Sequence, residues 1–449
     1  MLKKIFSYPA LLAIVISLIG LILLGSLLRG HFEGRKNFHS LKEITIFLSE
    51  IPKTAKTMIK YKTFNINKPP PLKKHKDKQN FQQFIPNQRE ALLILPRYDH
   101  SLSRSVVEVI DLKNFKKIHT YKHNIDEMNQ RLSNIKEFAR LNIDDAPIRF
   151  EYRHPLILED GSLISDSDYS IEFKIDFCSN LIWINEEEKF HHSKMLDHEK
   201  NIWVPGQLRP FSKYINEYQI EDFHDDAIMK INSDGKILYK KSVFEILVEN
   251  KILPQNYGFN HQSFKNGDLI HLNDIEPVLT DGDYWKKGDL FLSIRFKSAI
   301  IHYRPSTNKI LNYIIGPFAE QHDVDIISNK EISIFNNNNF IFNNEHSEIL
   351  IYNFEKKNFK KIFNNQLKKE NFKTETQGLS HFFKDGSLMV EEQNHGRIIL
   401  FNNKGEKEWE FVNRSKNGNI GFISWSRVIE DKFFIEKFKS LVENKKCIN

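Results

Sequence analysis

The chain has 449 residues, of which 40% are hydrophobic and 27% are charged, a balance that fits a globular protein with one large all-β domain or two ordinary domains. Its net charge of +7 comes from basic residues scattered among acidic ones, without a sustained basic stripe, and this argues against a nucleic-acid partner. Cys178 and Cys447 are too few for a disulfide framework or a cysteine-based zinc site, and their separation leaves open whether they pair.

The first predicted element is an apolar segment, Ala10 to Leu28, which carries no charge over a length that crosses a hydrocarbon layer of about 30 Å as a helix. A cleaved signal peptide would end in small residues, whereas Leu27, Leu28 and Arg29 stand there. We therefore predict an uncleaved signal anchor over residues 1–36. Basic residues flank both ends, so orientation is only a preference: N terminus in the cytoplasm, main domain on the periplasmic or extracellular side of the inner membrane.

Residues 37–88 are predicted to connect this anchor to the main domain. Leu41 to Lys60 has the apolar spacing of an amphipathic helix, interrupted at Pro52. Asn67 to Asp77 combines three prolines with a basic run, a composition typical of an extended, semi-rigid linker. The main domain is then predicted to occupy residues 89–449.

Sequence patterns typical of strands continue through most of that domain, and they recur as pairs of segments. Each pair contains a turn with an apolar run and, some tens of residues later, a strand, a second turn and another strand. The pairs begin at Ala91, Glu159, His198, Lys286, Ser328 and Lys384. Because a four-stranded unit cannot bury both faces alone, whereas six units around an axis can, we predict an all-β fold, a six-bladed β-propeller.

Two insertions interrupt the repeat. Asn124 to Ile148 is predicted to be helical, and Ser242 to Phe264 to be a helix followed by a loop. Insertions between repeats usually lie on one face and shape a site, so they favour binding or catalysis over a bare scaffold.

Several histidine and arginine residues stand beside successive strand signals. They are His191, His192, His271, Arg295 and His322. The inner strands of a propeller converge on its central channel, so these side chains can meet at the channel mouth, where they suit an anionic ligand.

Each of these residues also has a plain structural interpretation. His322 could be a solvated surface imidazole, His271 could cap a turn, and Arg295 could pair with a carboxylate such as Asp289. A zinc site would need Asp323 as a ligand, and no zinc-helix spacing is present, so we expect no metal and no cofactor.

The run from His271 to Asn338 resembles the bacterial arylsulfate sulfotransferase (ASST) family. It contains, in the family's order, a His-x-Asn-Asp-Ile segment, a Ser-x-Arg segment followed by Ser-Ala-Ile, and a Gln-His-Asp segment that ends in a Phe-Asn-Asn turn. Phe190 to Gly206 is similar to the family's His-His segment, and Glu375 to Phe411 is similar to its last blades.

The resemblance implies a six-bladed propeller that moves a sulfuryl group from an aryl sulfate donor to a phenolic acceptor without a nucleotide donor. His322 matches the nucleophile, which becomes transiently sulfated. His192, His271 and Arg295 match the groups around the sulfuryl oxygens, and the choice between His191 and His192 stays open. Such chemistry suits these residues, because a neutral imidazole can attack sulfur while cationic and imidazole donors neutralise developing charge.

Two other functions stay open: a non-catalytic propeller that binds an anionic glycan, peptide or protein partner, and a hydrolase of sulfate esters. The segment between the anchor and the first repeat is too short for the additional N-terminal β-domain that many family members carry, so dimerisation and access to the site could differ. The sequence identifies neither the natural donor and acceptor nor the oligomeric state.

Overall fold

The computed structural model describes residues 8–32, 68–87, 89–132, 147–167, 169–214, 223–252, 268–339 and 345–447. The chain divides into two compact units, Met1–Asn67 and Lys68–Asn449. In the first unit, the described residues form the helix α1 (Tyr8–Phe32). The predicted helix at Leu41 to Lys60 lies outside the described residues.

Helix α1 contains the apolar segment that the sequence predicts as a membrane anchor. Its side chains are described at positions 12–26, where most of the large apolar ones are exposed. In the described part of the chain, no helix combines the length and the apolar composition that crossing a bilayer demands. The transmembrane signal anchor is therefore not shown by the structure.

The second unit is built mainly from antiparallel strands. Their bounds are β1 (Phe81–Gln83), β2 (Leu92–Asp99), β3 (Arg104–Asp111), β4 (Lys116–Tyr121), β5 (Arg153–Ile157), β6 (Leu163–Asp166), β7 (Ser170–Ile175), β8 (Leu181–Phe190), β9 (Met195–Leu196), β10 (Ile202–Gln207), β11 (Asp226–Ile231), β12 (Ile237–Ser242), β13 (Leu272–Pro277), β14 (Leu290–Ile294), β15 (Ala299–Arg304), β16 (Lys309–Ile315), β17 (Val324–Ile326), β18 (Glu331–Asn336), β19 (Glu348–Asn353), β20 (Asn358–Ile362), β21 (Ser380–Phe382), β22 (Leu388–Glu392), β23 (Arg397–Phe401), β24 (Lys407–Val412) and β25 (Arg427–Ile429). The short α-helices among them are α2 (Ile125–Arg131), α3 (Val243–Glu249) and α4 (Asn364–Lys369), and a longer one, α5 (Lys432–Asn444), follows β25.

These strands form a propeller-like arrangement of sheets. Four sheets have four or five strands, in the orders β25-β2-β3-β4, β13-β14-β15-β16, β17-β18-β19-β20 and β1-β24-β23-β22-β21. A further sheet has eight strands in the order β12-β11-β10-β8-β7-β6-β5, with β9 paired to β10. The all-β, propeller-like prediction is confirmed.

The prediction of six blades is wrong, because the described residues form four separate blades beside the one continuous eight-stranded sheet. The strands expected in the second and third blades are joined in that sheet. The reason is the length of β8: its last residues, Lys189 and Phe190, pair with Gln207 and Gly206 of β10. Repeats in the sequence reveal the strands, but they do not reveal a hydrogen-bonded seam between two repeats.

The two ends of the described domain are tied into its sheets. Strand β25 pairs with β2, with Leu92 opposite Ile429, so late and early parts of the chain share one blade. Strand β1 completes the β24 blade, with Phe81 opposite Phe411. Part of the predicted linker also packs on the domain, because Leu72 forms a bridge to Ile420.

The predicted insertions are only partly described. Asn124 caps α2 by accepting hydrogen bonds from backbone N–H groups of its first turn, and Ser242 caps α3 in the same way. Residues 133–146 and 253–267, which make up most of the remaining insertions, lie outside the described residues.

The C-terminal helix α5 covers an apolar cluster between two sheets. Its Phe438 packs on Phe177, with ring centroids 5.8 Å apart. The pairing that the sequence left open is formed, since Cys178 and Cys447 make a disulfide that fastens the segment after α5 to the eight-stranded sheet.

Neighbouring sheets are fastened by carboxylates that accept hydrogen bonds from the backbone N–H groups at the start of the next sheet's first strand. The bonds, acceptor first, are Asp226 to Leu272 at 2.7 Å, Asp274 to Val324 at 2.9 Å, Asp323 to Ser380 at 2.9 Å, and Glu391 to Trp425 and Ser426 at 3.0 and 2.8 Å. We call Asp226, Asp274, Asp323 and Glu391 the carboxylate belt. Because a buried N–H without a partner is costly, these contacts fix where each first strand begins.

The belt contains a carboxyl group with a strongly shifted pKa. Glu391 has no exposed surface, and burial raises its pKa to about 7, against the opposing effect of its hydrogen bonds to Ser426 and Trp425. A raised carboxyl pKa favours the folded state below the unfolded value of 4.5, and that advantage is lost as pH rises through about 7.

We therefore predict that Glu391→Gln will reduce the loss of unfolding free energy between pH 5 and pH 8. The difference from wild type should be at most about 3 kcal/mol, because the other titrating groups are present in both proteins and cancel. Urea unfolding at both pH values measures it. An equal pH-dependent loss in the two proteins would contradict the assignment, whatever the variant's stability at a single pH.

Candidate active site

His192, His271 and His322 lie shortly before β9, β13 and β17, whereas Arg295 directly follows β14. The backbone near these strand starts is unusual. A residue that is not glycine has a positive φ either inside β5 or within four positions before β9, β13, β17, β21 and β25: His154 (36°), His192 (59°), His271 (54°), Glu320 (57°), Gln377 (59°) and Trp425 (62°). Such conformations persist only where surrounding contacts hold them, and they cluster at functional sites.

His322 lies near His192, His271 and Arg295, and we call these four residues the histidine cluster. The His322 side chain is buried, with 1% of the residue exposed. Its Nδ1 is 2.7 Å from Asn337 Oδ1 and 3.0 Å from the carbonyl oxygen of Glu320. Both partners are acceptors, so Nδ1 carries the proton and donates it. Nε2 then has a free electron pair, which accepts a hydrogen bond of 2.9 Å from the backbone N–H of Gln377.

The flanking residues of the Gln-His-Asp tripeptide hold His322 in place. Gln321, which has no exposed surface, donates to the carbonyl oxygens of Ile294 and Ala299 in the preceding blade. Asp323, the carboxylate that a zinc site would need, accepts from Ser380 in the following blade. The imidazole is therefore carried by a segment that is fastened on both sides.

The His-x-Asn segment contributes to the same support. Asn273 has no exposed surface and donates to the carbonyl oxygen of Gln321 at 2.6 Å. The residue two positions after His271 therefore fixes the loop that carries His322. This contact gives a physical reason for the spacing of the motif.

Of the two adjacent histidines, His192 is the one that contacts the cluster. Its ring centroid is 5.4 Å from that of His271 and 6.1 Å from that of His322. His191 lies behind it, stacked on Tyr169 with centroids 4.5 Å apart. The Nδ1 atoms of His191 and His192 are 2.7 Å apart, so one of them donates to the other.

His271 and Arg295 lie side by side, and each has a carboxylate partner. Nδ1 of His271 is 2.6 Å from Asp268 Oδ2, and a terminal nitrogen of Arg295 donates to Glu320 Oε2 at 2.7 Å. The two residues meet at 3.4 Å, between His271 Nε2 and Arg295 Nη1. Asp289, the partner suggested from the sequence for Arg295, is instead bound by Arg304 within its own blade.

Burial determines the charge state of two histidines. It lowers the pKa of His322 well below its ordinary value, and Arg295 lowers it further. Burial also lowers the pKa of His192 well below its ordinary value, and the neighbouring histidines add to this effect. Both imidazoles are therefore neutral at physiological pH, whereas Arg295 near them carries a fixed positive charge.

The structure thus brings together all four residues predicted from the sequence, His192, His271, Arg295 and His322, while their catalytic roles stay predictions. Sequence reasoning missed four residues that form hydrogen bonds with members of the cluster: Asp268, Glu320, Asn337 and Gln377. Asn337 lies in the Phe-Asn-Asn turn, and Glu320 lies two positions before His322. Their places next to the motifs could therefore have indicated that both lie near the site. Gln377 acts through its backbone, which side-chain patterns do not reveal.

We predict that Glu320→Gln will bind inorganic sulfate more tightly than wild type, by about 2- to 10-fold at low ionic strength. The reason is that Glu320 neutralises Arg295 and repels an anion placed beside it. Titration calorimetry with sulfate measures the change. Glu331→Gln, which alters a carboxylate paired with Asn353 in β19, serves as the control that keeps the wild-type affinity. Equal affinities for Glu320→Gln and wild type would contradict the prediction.

A family model described as arylsulfotransferase (ASST) matches residues 154–414, which include all four predicted site residues. No curated protein matches the chain significantly.

The solved structures to which the chain is similar are distant. A protein of unknown function from Bacteroides caccae has a TM-score of 0.47 at 11% identity, covering 76% of this chain and 100% of its own. A streptogramin B lyase has a TM-score of 0.39 at 10% identity, covering 78% and 98%. The virginiamycin B lyase from Staphylococcus aureus has a TM-score of 0.34 at 13% identity, covering 59% and 71%. At these values the likenesses carry no argument about function.

Proposed function

This chain belongs to the arylsulfotransferase family, and from that premise we propose that it moves a sulfuryl group from an aryl sulfate to a phenolic acceptor through a sulfated His322. The observation that carries the proposal is the environment of that imidazole. It is neutral, and its Nδ1–H is held by Asn337. Its ring centroid lies 6.1 Å from that of His192, and Arg295 and His271 are close enough to lower its pKa. A neutral imidazole in a fixed tautomer is a competent nucleophile.

Arg295 supplies the complementary site for the sulfuryl oxygens. Its Nε is buried and has no hydrogen-bond partner among the described residues, so one donor of the guanidinium is unused. Displacement of Glu320 by the anion frees another donor for a second oxygen. A planar guanidinium can hold two oxygens at once, as a sulfuryl group requires.

An exposed aromatic side chain beside the cluster suits an aryl substrate. Phe296 is 43% exposed, and its ring centroid lies 4.7 Å from that of His271 and 5.1 Å from the guanidinium carbon of Arg295. A phenyl group that packs on Phe296 would place its sulfate ester next to these two residues.

The transfer proceeds in two displacements. In the first, Nε2 of His322 attacks sulfur, the bond between sulfur and the phenolic oxygen breaks, and the phenolate takes a proton. In the second, the acceptor phenol loses its proton, its oxygen attacks sulfur, and the bond between nitrogen and sulfur breaks. The backbone N–H of Gln377, released from Nε2, is close enough to donate to a sulfuryl oxygen. No cofactor is consumed.

We predict that His322→Asn will abolish transfer and the sulfated intermediate. Arg295→Lys should lower turnover by about 10²–10³-fold, because a point charge replaces the planar fork. Intact-mass spectrometry after mixing with 4-nitrophenyl sulfate and no acceptor should show one added sulfuryl group on wild type, in the peptide that contains His322.

His346→Asn is the matched control for this experiment, since His346 pairs with Asn364 and is expected to be dispensable. Wild-type turnover in His322→Asn, or modification of another residue, would refute the assignment. Continuous release of phenol beyond one equivalent per enzyme without an added phenolic acceptor would indicate a sulfate ester hydrolase. Sulfate binding without turnover or modification would favour the non-catalytic module.

The proposal includes a location: α1 anchors the chain in the inner membrane, with the N terminus in the cytoplasm and the main domain on the periplasmic or extracellular side. Two observations support it. The large apolar side chains of α1 are exposed at most positions from 12 to 26, and the Cys178–Cys447 disulfide suits an oxidising compartment.

We predict that protease added to spheroplasts will cleave the main domain before lysis. In cells whose thiols are blocked before lysis, neither cysteine should react with maleimide until a reductant is added, because both are in the disulfide. Protection from external protease until lysis would show that the orientation is wrong, and recovery in the soluble fraction would count against the anchor.

A further inference from the structure

His271 has a partner that sets it apart from the other histidines of the cluster. Its Nδ1 lies 2.6 Å from Asp268 Oδ2, and its ring is fixed further by contact with Phe296. The Asp268 side chain is 21% exposed and that of His271 is 12% exposed, so the pair is shielded and lies at the edge of the cluster. The Nε2 atom points to the opposite side, towards Arg295 at 3.4 Å.

The other two imidazoles are built to stay neutral. His322 donates from Nδ1 to amide and carbonyl oxygens, and His192 shares its Nδ1 contact with His191. Burial lowers the pKa of both His192 and His322 well below the ordinary value. Among the described residues, neither of them has a carboxylate hydrogen-bonded to its ring, whereas Asp268 lies within hydrogen-bond distance of Nδ1 of His271.

Other groups near Asp268 and His271 are bound to different partners, which leaves Asp268 paired with His271. Arg295, the neighbouring cation, pairs with Glu320 instead, and Asp226 accepts a hydrogen bond from the backbone N–H of Leu272. His224 also approaches Asp268, with its Nδ1 3.8 Å from the same oxygen. Within the described part of the chain, the ionisable groups that face His271 include Asp268, Asp226, Arg295, His192 and His322.

We propose that Asp268 is the positioning residue that makes His271 the proton shuttle of the transfer, an inference that rests on the proposed function. While the S–O bond of the donor breaks, the proton on His271 Nε2 passes to the departing phenolate oxygen. While the acceptor phenol attacks the sulfur of sulfated His322, its proton returns to Nε2 and the N–S bond breaks. Asp268 keeps Nδ1 protonated throughout and balances the charge of the imidazolium.

The leaving group of the donor provides the test. Asp268→Asn should slow the sulfation of His322 by phenyl sulfate by about 10²-fold, the low end of what general acid catalysis contributes. Sulfation by 4-nitrophenyl sulfate should change only a few-fold, because nitrophenolate departs without a proton. Rapid-quench mass spectrometry of the His322 peptide follows this first step directly, without an acceptor.

Two variants complete the experiment. Asp268→Glu should recover part of the lost rate with phenyl sulfate, since it restores a carboxylate. Asp281→Asn is the control at the other end of β13, where the carboxylate accepts a hydrogen bond from the backbone N–H of Lys287, and it should keep the wild-type ratio between the two donors.

The experiment distinguishes a wrong role for Asp268 from a wrong proposed function. If wild type sulfates His322 and Asp268→Asn slows both donors equally, or neither, Asp268 has no part in proton transfer and the inference is overturned alone. If wild type sulfates His322 with neither donor, the proposed function and this inference fall together.

Discussion

The arrangement of the site depends on one kind of contact, a carboxylate of one sheet that accepts hydrogen bonds from the first backbone N–H groups of the next. Asp226, Asp274, Asp323 and Glu391 make these contacts in succession around the domain. Each contact fixes where a first strand begins, and a residue one to four positions before that strand has a left-handed conformation that an ordinary side chain rarely adopts. His271 is one of these residues, and Glu320, two positions before His322, is another.

Burial also determines the protonation states of His322 and His192. Burial lowers the pKa of an imidazole, so His322 and His192 stay neutral beside the permanent charge of Arg295. Arg295 and His271 each have a carboxylate within hydrogen-bond distance. A neutral imidazole next to a paired arginine is an arrangement in which an anionic group can replace the carboxylate.

Other groups of the chain bind the two residues to which the proposed function assigns contact with the sulfuryl group. Glu320 holds Arg295, and the backbone N–H of Gln377 holds the electron pair of His322. An anion can accept hydrogen bonds from Arg295 and from the backbone N–H of Gln377 in place of these partners, so both donors can remain paired when it binds.

The sequence by itself determined the strands, the propeller-like class and the four residues of the cluster, because alternating apolar runs and ordered motifs are local properties of the chain. It could not determine the number of separate blades, since the joining of β8 to β10 is a contact between repeats. It could not pair Cys178 with Cys447, nor choose between His191 and His192, nor find Asp268 and Glu320 as partners. Those features were decided by tertiary structure, because hydrogen bonds and burial depend on which distant segments are brought within about 3 Å of each other.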